Sequence, residues 1–180
     1  MGNYKIEYSD EEITQLGYYC SDCGEYHKEI PMAYSADAPF SYSQIPENEL
    51  TKRCVLTEET CIIDQKDFYI KGNLLIPVQN AEEFSWNVWV QITESDFNRM
   101  TKLWNDNNRI LENGYLGQLA TELDLYPSTI NLPVNVYTQK VGIRPKIEVL
   151  EVAHPLFLEQ EEGINMDRVI SFAKKILYAH

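Results

Sequence analysis

The sequence lacks any long hydrophobic run and any surplus of basic charge. Its apolar stretches, such as residues 74–78, are much shorter than the roughly 20 residues that a membrane-spanning helix needs, so no membrane span is predicted. No apolar stretch follows a basic start at the N-terminus, which predicts a cytoplasmic protein. Fifteen Lys and Arg against 28 Asp and Glu give a net charge of −13. Such a chain repels a phosphate backbone, which argues against nucleic-acid binding.

The sequence also lacks the signatures of common enzymes and nucleotide-binding proteins. It contains no Gly-x-Ser-x-Gly elbow, no phosphate-binding glycine loop, no dinucleotide fingerprint and no His-Glu-x-x-His helix. Adjacent carboxylates such as Glu58-Glu59 lie beside predicted turns and are interpreted as solvated. No catalytic or organic-cofactor-binding residue is therefore predicted, and the sequence favours a non-catalytic function without excluding an enzyme.

The composition is that of an ordinary globular protein with an acidic N-terminal part. The 180 residues, 44% hydrophobic and 24% charged, are predicted to form a single domain over 1–180. Residues 1–63 carry a net charge of −8, while residues 64–180 carry −5. This asymmetry predicts an acidic face, which either keeps the protein soluble or binds a basic protein partner.

Alternation of apolar and polar residues predicts most of the sheet. Residues 54–56 and 61–63 are predicted to form a hairpin that turns at 57–60, which places Cys54 and Cys61 as diagonal neighbours on one face. Further strands are predicted over residues 68–78, 85–92, 131–138 and 146–152.

Helical spacing and capping residues predict the remaining elements. Helices are expected over residues 94–105, 116–123 and 155–162, followed by a last helix that Asn165 caps. Residues 17–46 are rich in Tyr, Ser and Pro and show no sustained periodicity, so they are interpreted as an ordered irregular segment. The predicted fold is α+β: a single antiparallel sheet of about five or six strands, with helices packed on one face and an irregular Cys- and Tyr-rich N-terminal segment.

The cysteines suggest a structural zinc site. Cys20-x-x-Cys23-Gly24 has the form of one zinc knuckle, in which two thiolates converge on the metal and the glycine permits a tight turn. The remaining ligands would be Cys61 and His27, with Cys54 as an alternative. In a second interpretation, the cysteines of the hairpin are small apolar core residues and those of the knuckle are reduced thiols.

Several short motifs, taken together, carry a resemblance to a known family. They are Cys20-x-x-Cys23-Gly24-x-x-His27 with Pro31, Cys61-Ile62-Ile63-Asp64, Trp86-x-Val88-Trp89-Val90, Tyr126-Pro127 with Asn131-Leu132, Arg144-Pro145, and His154-Pro155-Leu156. In this order, from about Cys20 to the end of the chain, they resemble the bacterial family called domain of unknown function 2199. The resemblance implies no activity, because that family has no established function, substrate or catalytic residue. Cys54 is not part of the family's pattern, which weakens a site of four thiolates.

Two hypotheses of function follow. The first is a non-catalytic binding or regulatory module whose acidic N-terminal third docks a basic protein. The second is a small-ligand-binding protein or enzyme whose site lies between the sheet and the Tyr-rich N-terminal segment, with Tyr18, Tyr26, His27 and Arg144 as its groups.

Overall fold

A computed structural model of the chain describes residues 18–19, 24 and 26–177, and for Tyr18, Tyr19 and His27 it describes the backbone alone. The strands are β1 (Tyr18–Tyr19), β2 (Tyr26–His27), β3 (Ala33–Ser35), β4 (Cys54–Leu56), β5 (Thr60–Ile63), β6 (Asp67–Ile76), β7 (Phe84–Ile92), β8 (Tyr115–Leu119), β9 (Pro133–Tyr137) and β10 (Lys146–Val149). The α-helices are α1 (Phe40–Ser43), α2 (Glu47–Arg53), α3 (Glu94–Lys102), α4 (Pro155–Glu162) and α5 (Met166–Leu177), and a 3₁₀ helix spans Asn107–Leu111.

Five strands close into a mixed barrel. Around the ring they follow the order β6, β7, β8, β9 and β10, and β10 returns to pair with β6. Every pairing in the ring is antiparallel except that of β10 with β6, which is parallel. Three further strands extend the sheet: β3 pairs with the start of β7, β5 pairs with the start of β6, and β4 pairs with β5. The short strands β1 and β2 form a separate two-stranded sheet.

The prediction of a single antiparallel sheet with helices on one face is therefore wrong. The long strands β6 and β7 pair with each other along their lengths, but each changes its second partner partway along. This change lets the sheet curl until β10 reaches β6, and the closed ring no longer has the two open edges of a flat sheet. A helix was expected over residues 116–123, but residues 116–119 belong to β8 and residues 120–123 follow it without regular structure. In β8, Tyr115 and Leu119 are buried and Leu116 between them is exposed.

Two glycines allow the strands of the barrel to approach closely. A Cβ atom at Gly72 on β6 would lie 2.6 Å from Cδ1 of Ile147 and 2.9 Å from the carbonyl oxygen of Pro145. A Cβ atom at Gly117 on β8 would lie 2.5 Å from Cγ1 of Val90. Both contacts are shorter than side chains normally make, so these positions of the ring require glycine.

Helices α3 and α5 both pack on the main hydrophobic core. Phe97 of α3 packs on Phe68, with ring centroids 5.2 Å apart, and Phe172 of α5 packs on Phe84 and Trp86 at 4.9 and 5.0 Å. These residues belong to the main core, which alternate positions of β6 and β7 build. The opposite face of the same two strands forms a second cluster with Cys61, Tyr69, Trp89 and residues 36–45. Both faces of β6 and β7 are therefore buried.

Several local predictions are confirmed. The hairpin of β4 and β5 has the expected register, with Leu56 opposite Cys61 and Cys54 opposite Ile63. Strands β9 and β10 are antiparallel neighbours, and Thr93 caps α3 by accepting a hydrogen bond from the backbone N–H of Asp96. In the part of the chain that the structure describes, no helix is both long and apolar enough to cross a bilayer.

Candidate ligand-binding cavity

A cavity of about 460 Å³ lies beside the parallel pairing of β6 with β10, and we call it the seam cavity. Its lining residues come from four separate parts of the chain: Glu59 from the turn between β4 and β5, Asn73 from β6, Trp104 and Arg109 from the segment after α3, and residues 142–144 from the loop between β9 and β10. Its size falls in the range of small-molecule sites, which is roughly 300–1,000 Å³. The fold thus brings distant polar residues to one concave surface.

An ion pair between Arg144 and Glu59 forms one side of the seam cavity. Nε of Arg144 donates to both carboxylate oxygens of Glu59, at 3.0 and 2.8 Å, and Nη2 donates to Oε1 at 2.6 Å. These hydrogen bonds raise the pKa of Arg144. Thr57 holds the turn that carries Glu59, because its hydroxyl accepts hydrogen bonds from the backbone N–H groups of Glu59 and Thr60. The pair therefore ties two loops together that are 85 residues apart.

Arg109 is a buried cation that has no counter-ion among the residues that the structure describes. Only 2% of its surface is exposed, and Nη1 donates to the carbonyl oxygen of Trp104 at 2.8 Å. The guanidinium carbon lies 5.0 Å from the centre of the Trp104 ring, within the range of a cation–π contact. Nε is buried and has no hydrogen-bond partner, and no carboxylate of the described residues pairs with the side chain. Burial alone lowers the pKa of Arg109.

The backbone around Arg109 is held in place from both sides. Asp106 caps the 3₁₀ helix by accepting a hydrogen bond from the backbone N–H of Asn108 at 2.8 Å. The hydroxyl of Thr138 donates to the carbonyl oxygen of Arg109, which attaches the 3₁₀ helix to the loop between β9 and β10. The guanidinium is thus positioned by the fold rather than by an ionic partner.

Asn73 supplies a hydrogen-bond acceptor without a donor. Its backbone N–H donates to the carbonyl oxygen of Pro145 at 2.8 Å, next to the pairing of Asn73 with Lys146. Its side-chain Oδ1 is buried and has no hydrogen-bond partner within the described part of the chain. Buried polar atoms in folded proteins are almost always hydrogen-bonded, so the unpaired Oδ1 is an exception beside the seam cavity.

The charges at the seam cavity favour an anion. Two guanidinium groups and one carboxylate line it, and the carboxylate is paired with Arg144, so no described carboxylate compensates the charge of Arg109. This local positive charge stands out in a protein whose net charge is −13. A guanidinium can bind a carboxylate or phosphate through two parallel hydrogen bonds. The arrangement is therefore suited to hold a small anion.

The zinc prediction is not tested by the described residues. Cys20 and Cys23 lie outside them, as does the side chain of His27. Cys61 is fully buried beside Cys54, and burial raises the pKa of its thiol to about 12. Within residues 18–19, 24 and 26–177, no three His, Cys, Asp or Glu side chains are placed to hold a metal ion. The zinc site thus stays a prediction.

The expected location of a small-ligand site also differs from the seam cavity. Of the groups proposed for that site, Arg144 lines the cavity, whereas Tyr26 is half exposed and does not line it. The side chains of Tyr18 and His27 lie outside the described residues. The sequence did not indicate Arg109, and it suggested that Glu59 was solvated. The Arg144-Pro145 motif was the one signal in the sequence that pointed to this region.

The fold and the cavity define a class of protein: a small mixed β-barrel with accessory helices and a polar cavity beside its parallel strand pair. The chain belongs to the family described as "Uncharacterized protein conserved in bacteria (DUF2199)", whose model matches residues 19–164. No curated protein and no solved structure matches the chain. The family resemblance of the sequence motifs is thereby confirmed.

Proposed function

We propose that this protein binds a small anionic molecule in the seam cavity. The observation that carries the proposal is Arg109, a nearly fully buried guanidinium with an unpaired Nε and no carboxylate partner among the described residues. A buried charge without a counter-ion is costly, so its retention beside a cavity is best explained by a ligand that supplies the missing negative charge.

The lining residues support binding rather than a reaction. The described residues that line the cavity include two guanidinium groups, a paired carboxylate, an amide and an indole, but no thiol, hydroxyl or imidazole. The guanidinium groups remain protonated at neutral pH and serve as fixed hydrogen-bond donors. The lining groups thus offer recognition of a charged molecule.

The proposal is tested by measuring the melting temperature of the protein with sodium acetate, sodium phosphate, sodium citrate and each of the 20 proteinogenic amino acids. A ligand present at about 100 times its Kd stabilises the folded state by about 2.7 kcal/mol. We expect at least one of these compounds to raise the melting temperature of the natural protein and to lose this effect in the Arg109→Met variant.

A matched control separates specific binding from a general effect of salt. Arg53, unlike Arg109, is paired with carboxylates, those of Glu49 and Asp64, and it does not line the seam cavity. Arg53→Met removes the same charge from the chain, so it should leave the ligand response unchanged. If no compound stabilises the natural protein more than the Arg109→Met variant, the proposal is wrong.

A further inference from the structure

We infer that Gln160 is a positioning residue for the seam cavity. Its side-chain amide joins β10 to β6 where their direct backbone pairing stops, and it thereby holds Arg144 against Glu59. This inference rests on the proposed function where it concerns anion binding. The strength of the Arg144–Glu59 pair is measured without a ligand, so the two proposals can fail separately.

The direct backbone pairing of β10 with β6 is short. Lys146 lies opposite Asn73, whose backbone N–H donates to the carbonyl oxygen of Pro145 at 2.8 Å. If this parallel ladder continued in the same register, the backbone N–H of Val149 would donate to the carbonyl oxygen of Leu75. Both of these groups instead bind one side chain of α4.

The side-chain amide of Gln160 lies between the two strands in place of that bond. Its Oε1 accepts a hydrogen bond from the backbone N–H of Val149 at 2.9 Å. Its Nε2 donates to the carbonyl oxygen of Leu75 at 3.3 Å and to that of Ile147 at 2.8 Å. One amide therefore satisfies backbone groups of both strands, and we call these three hydrogen bonds the Gln160 bridge.

Helix α4 is held in place by contacts other than the Gln160 bridge. Leu156 is fully buried in the main core. The carboxylate of Glu159 accepts hydrogen bonds from the hydroxyl of Tyr126 at 2.6 Å and from Nε of Arg168 at 2.8 Å. The helix thus offers the amide of Gln160 from a fixed position, so the bridge can set the position of β10 relative to β6.

The Arg144–Glu59 pair depends on that relative position. Only Pro145 separates Arg144 from the start of β10. Glu59 is attached to β6, because its carbonyl oxygen accepts a hydrogen bond from the backbone N–H of Lys71 at 2.9 Å. Hydrogen bonds weaken steeply when their lengths and angles change, so loss of the Gln160 bridge should weaken the pair that forms one side of the cavity.

The experiment measures the coupling energy between Arg144 and Glu59 by a double-mutant cycle of Arg144→Ala and Glu59→Ala in urea denaturation. The cycle is measured in the natural protein and again with Gln160→Met, which keeps the length of the side chain and removes the amide. We expect the coupling energy to fall at least about twofold with Gln160→Met, because the two side chains no longer meet in a fixed geometry. An unchanged coupling energy would show that the inference is wrong.

Two further variants keep the test decisive. If Gln160→Met does not fold, Gln160→Glu takes its place, because it keeps the acceptor for Val149 and loses both donors, and the coupling energy should again fall. Glu159→Gln is the matched control on the same helix, since the partners of Glu159 are Tyr126 and Arg168 rather than strand backbone. It should leave the coupling energy unchanged. An equal fall with Glu159→Gln would assign the effect to a general loosening of α4 and contradict the role of Gln160.

Anion binding gives the second readout. Whichever of sodium acetate, sodium phosphate and sodium citrate most raises the melting temperature of the natural protein should raise that of Gln160→Met at least about twofold less, and that of Glu159→Gln equally. An equal rise in Gln160→Met would show that the bridge does not position the anion site, so the inference would be wrong while the proposed function stands. If no compound of the screen described above raises the melting temperature but the coupling energy falls as expected, the proposed function is wrong and Gln160 positions the ion pair alone.

Discussion

Replacing Arg109 by methionine is expected to make the unliganded protein more stable while it abolishes ligand binding. Methionine has a similar length and fills irregular space well, so it keeps most of the packing of the arginine stem. It removes the charge and the unpaired Nε at a position that is only 2% exposed. Residues that serve a ligand often cost stability in its absence, and their replacement then stabilises the free protein.

The structure allows the sign of the change to be estimated. The substitution loses the hydrogen bond to the carbonyl oxygen of Trp104, about 1.5–3 kcal/mol, and the cation–π contact with its ring, about 0.5–2 kcal/mol. It relieves the unsatisfied Nε, about 1–3 kcal/mol, and the uncompensated buried charge, about 3–5 kcal/mol. The midpoints give a net stabilisation of about 2.5 kcal/mol, or roughly 5–10 °C in melting temperature for a chain of this length.

Urea denaturation followed by Trp fluorescence measures this difference, with Arg109→Lys as the control. Lysine keeps a buried charge but loses the planar contact with Trp104, so Arg109→Lys should not be more stable than the natural protein. If Arg109→Met instead lowers the free energy of unfolding by more than about 1 kcal/mol, the guanidinium stabilises the free protein. Its role as an unpaired ligand group would then be refuted.

Three further outcomes are expected from particular residues. Gly72→Ala should lower the free energy of unfolding by about 3 kcal/mol, the upper end for overpacking, whereas Gly142→Ala, whose Cβ atom would lie in open space at φ +84°, should lower it by about 1 kcal/mol. Equal losses in urea denaturation would contradict the close approach of the strands at Gly72. The guanidinium and phenol that donate to Glu112 hold its pKa at about 2, below the ordinary 4.5. The stability that the ionised Glu112 contributes is therefore complete above pH 4.5 and lost as the pH falls towards 2. Glu112→Gln should make the melting temperature depend less on pH in this range, and an unchanged dependence would contradict the lowered pKa. Cys61, fully buried with a pKa raised to about 12, should resist iodoacetamide far longer than the partly exposed Cys54, as peptide mass spectrometry will show; faster labelling of Cys61 would contradict its burial.

Local pairing in this protein could be predicted from the sequence, because its cause is local. The hairpin of β4 and β5 depends on a short turn and on alternation of apolar residues over a few positions, and its register is as expected. Residues 116–123 misled the prediction because their leucines fit a helical period. In β8 the decisive feature is the alternation of Tyr115, Gly117 and Leu119 towards the barrel interior. That alternation indicates a strand only once the closed ring of barrel strands is known.

The candidate site was less predictable than the strands because its residues meet only in the closed barrel. Arg144 and Glu59 are 85 residues apart, and neither carries a motif for ion pairing. Arg109 lies in a polar stretch after α3 that resembles an ordinary exposed turn, yet it is nearly fully buried. The acidic N-terminal third remains a predicted docking face for a basic protein, since part of it lies outside the described residues.

The closure of the barrel and the position of the cavity share one physical cause. The parallel pairing of Asn73 with Lys146 ends where the chain enters β10, and the backbone N–H of Asn73 is satisfied there by Pro145. This pairing brings the loop that carries Arg144 beside β6, and the hydrogen bonds to Glu59 then fix that loop. On its other side β6 keeps its antiparallel pairing with β7, in which Asn73 lies opposite Asn87. The closure of the barrel at this pair therefore places Asn73 of β6 next to the loop before β10, and both contribute to the lining of the cavity.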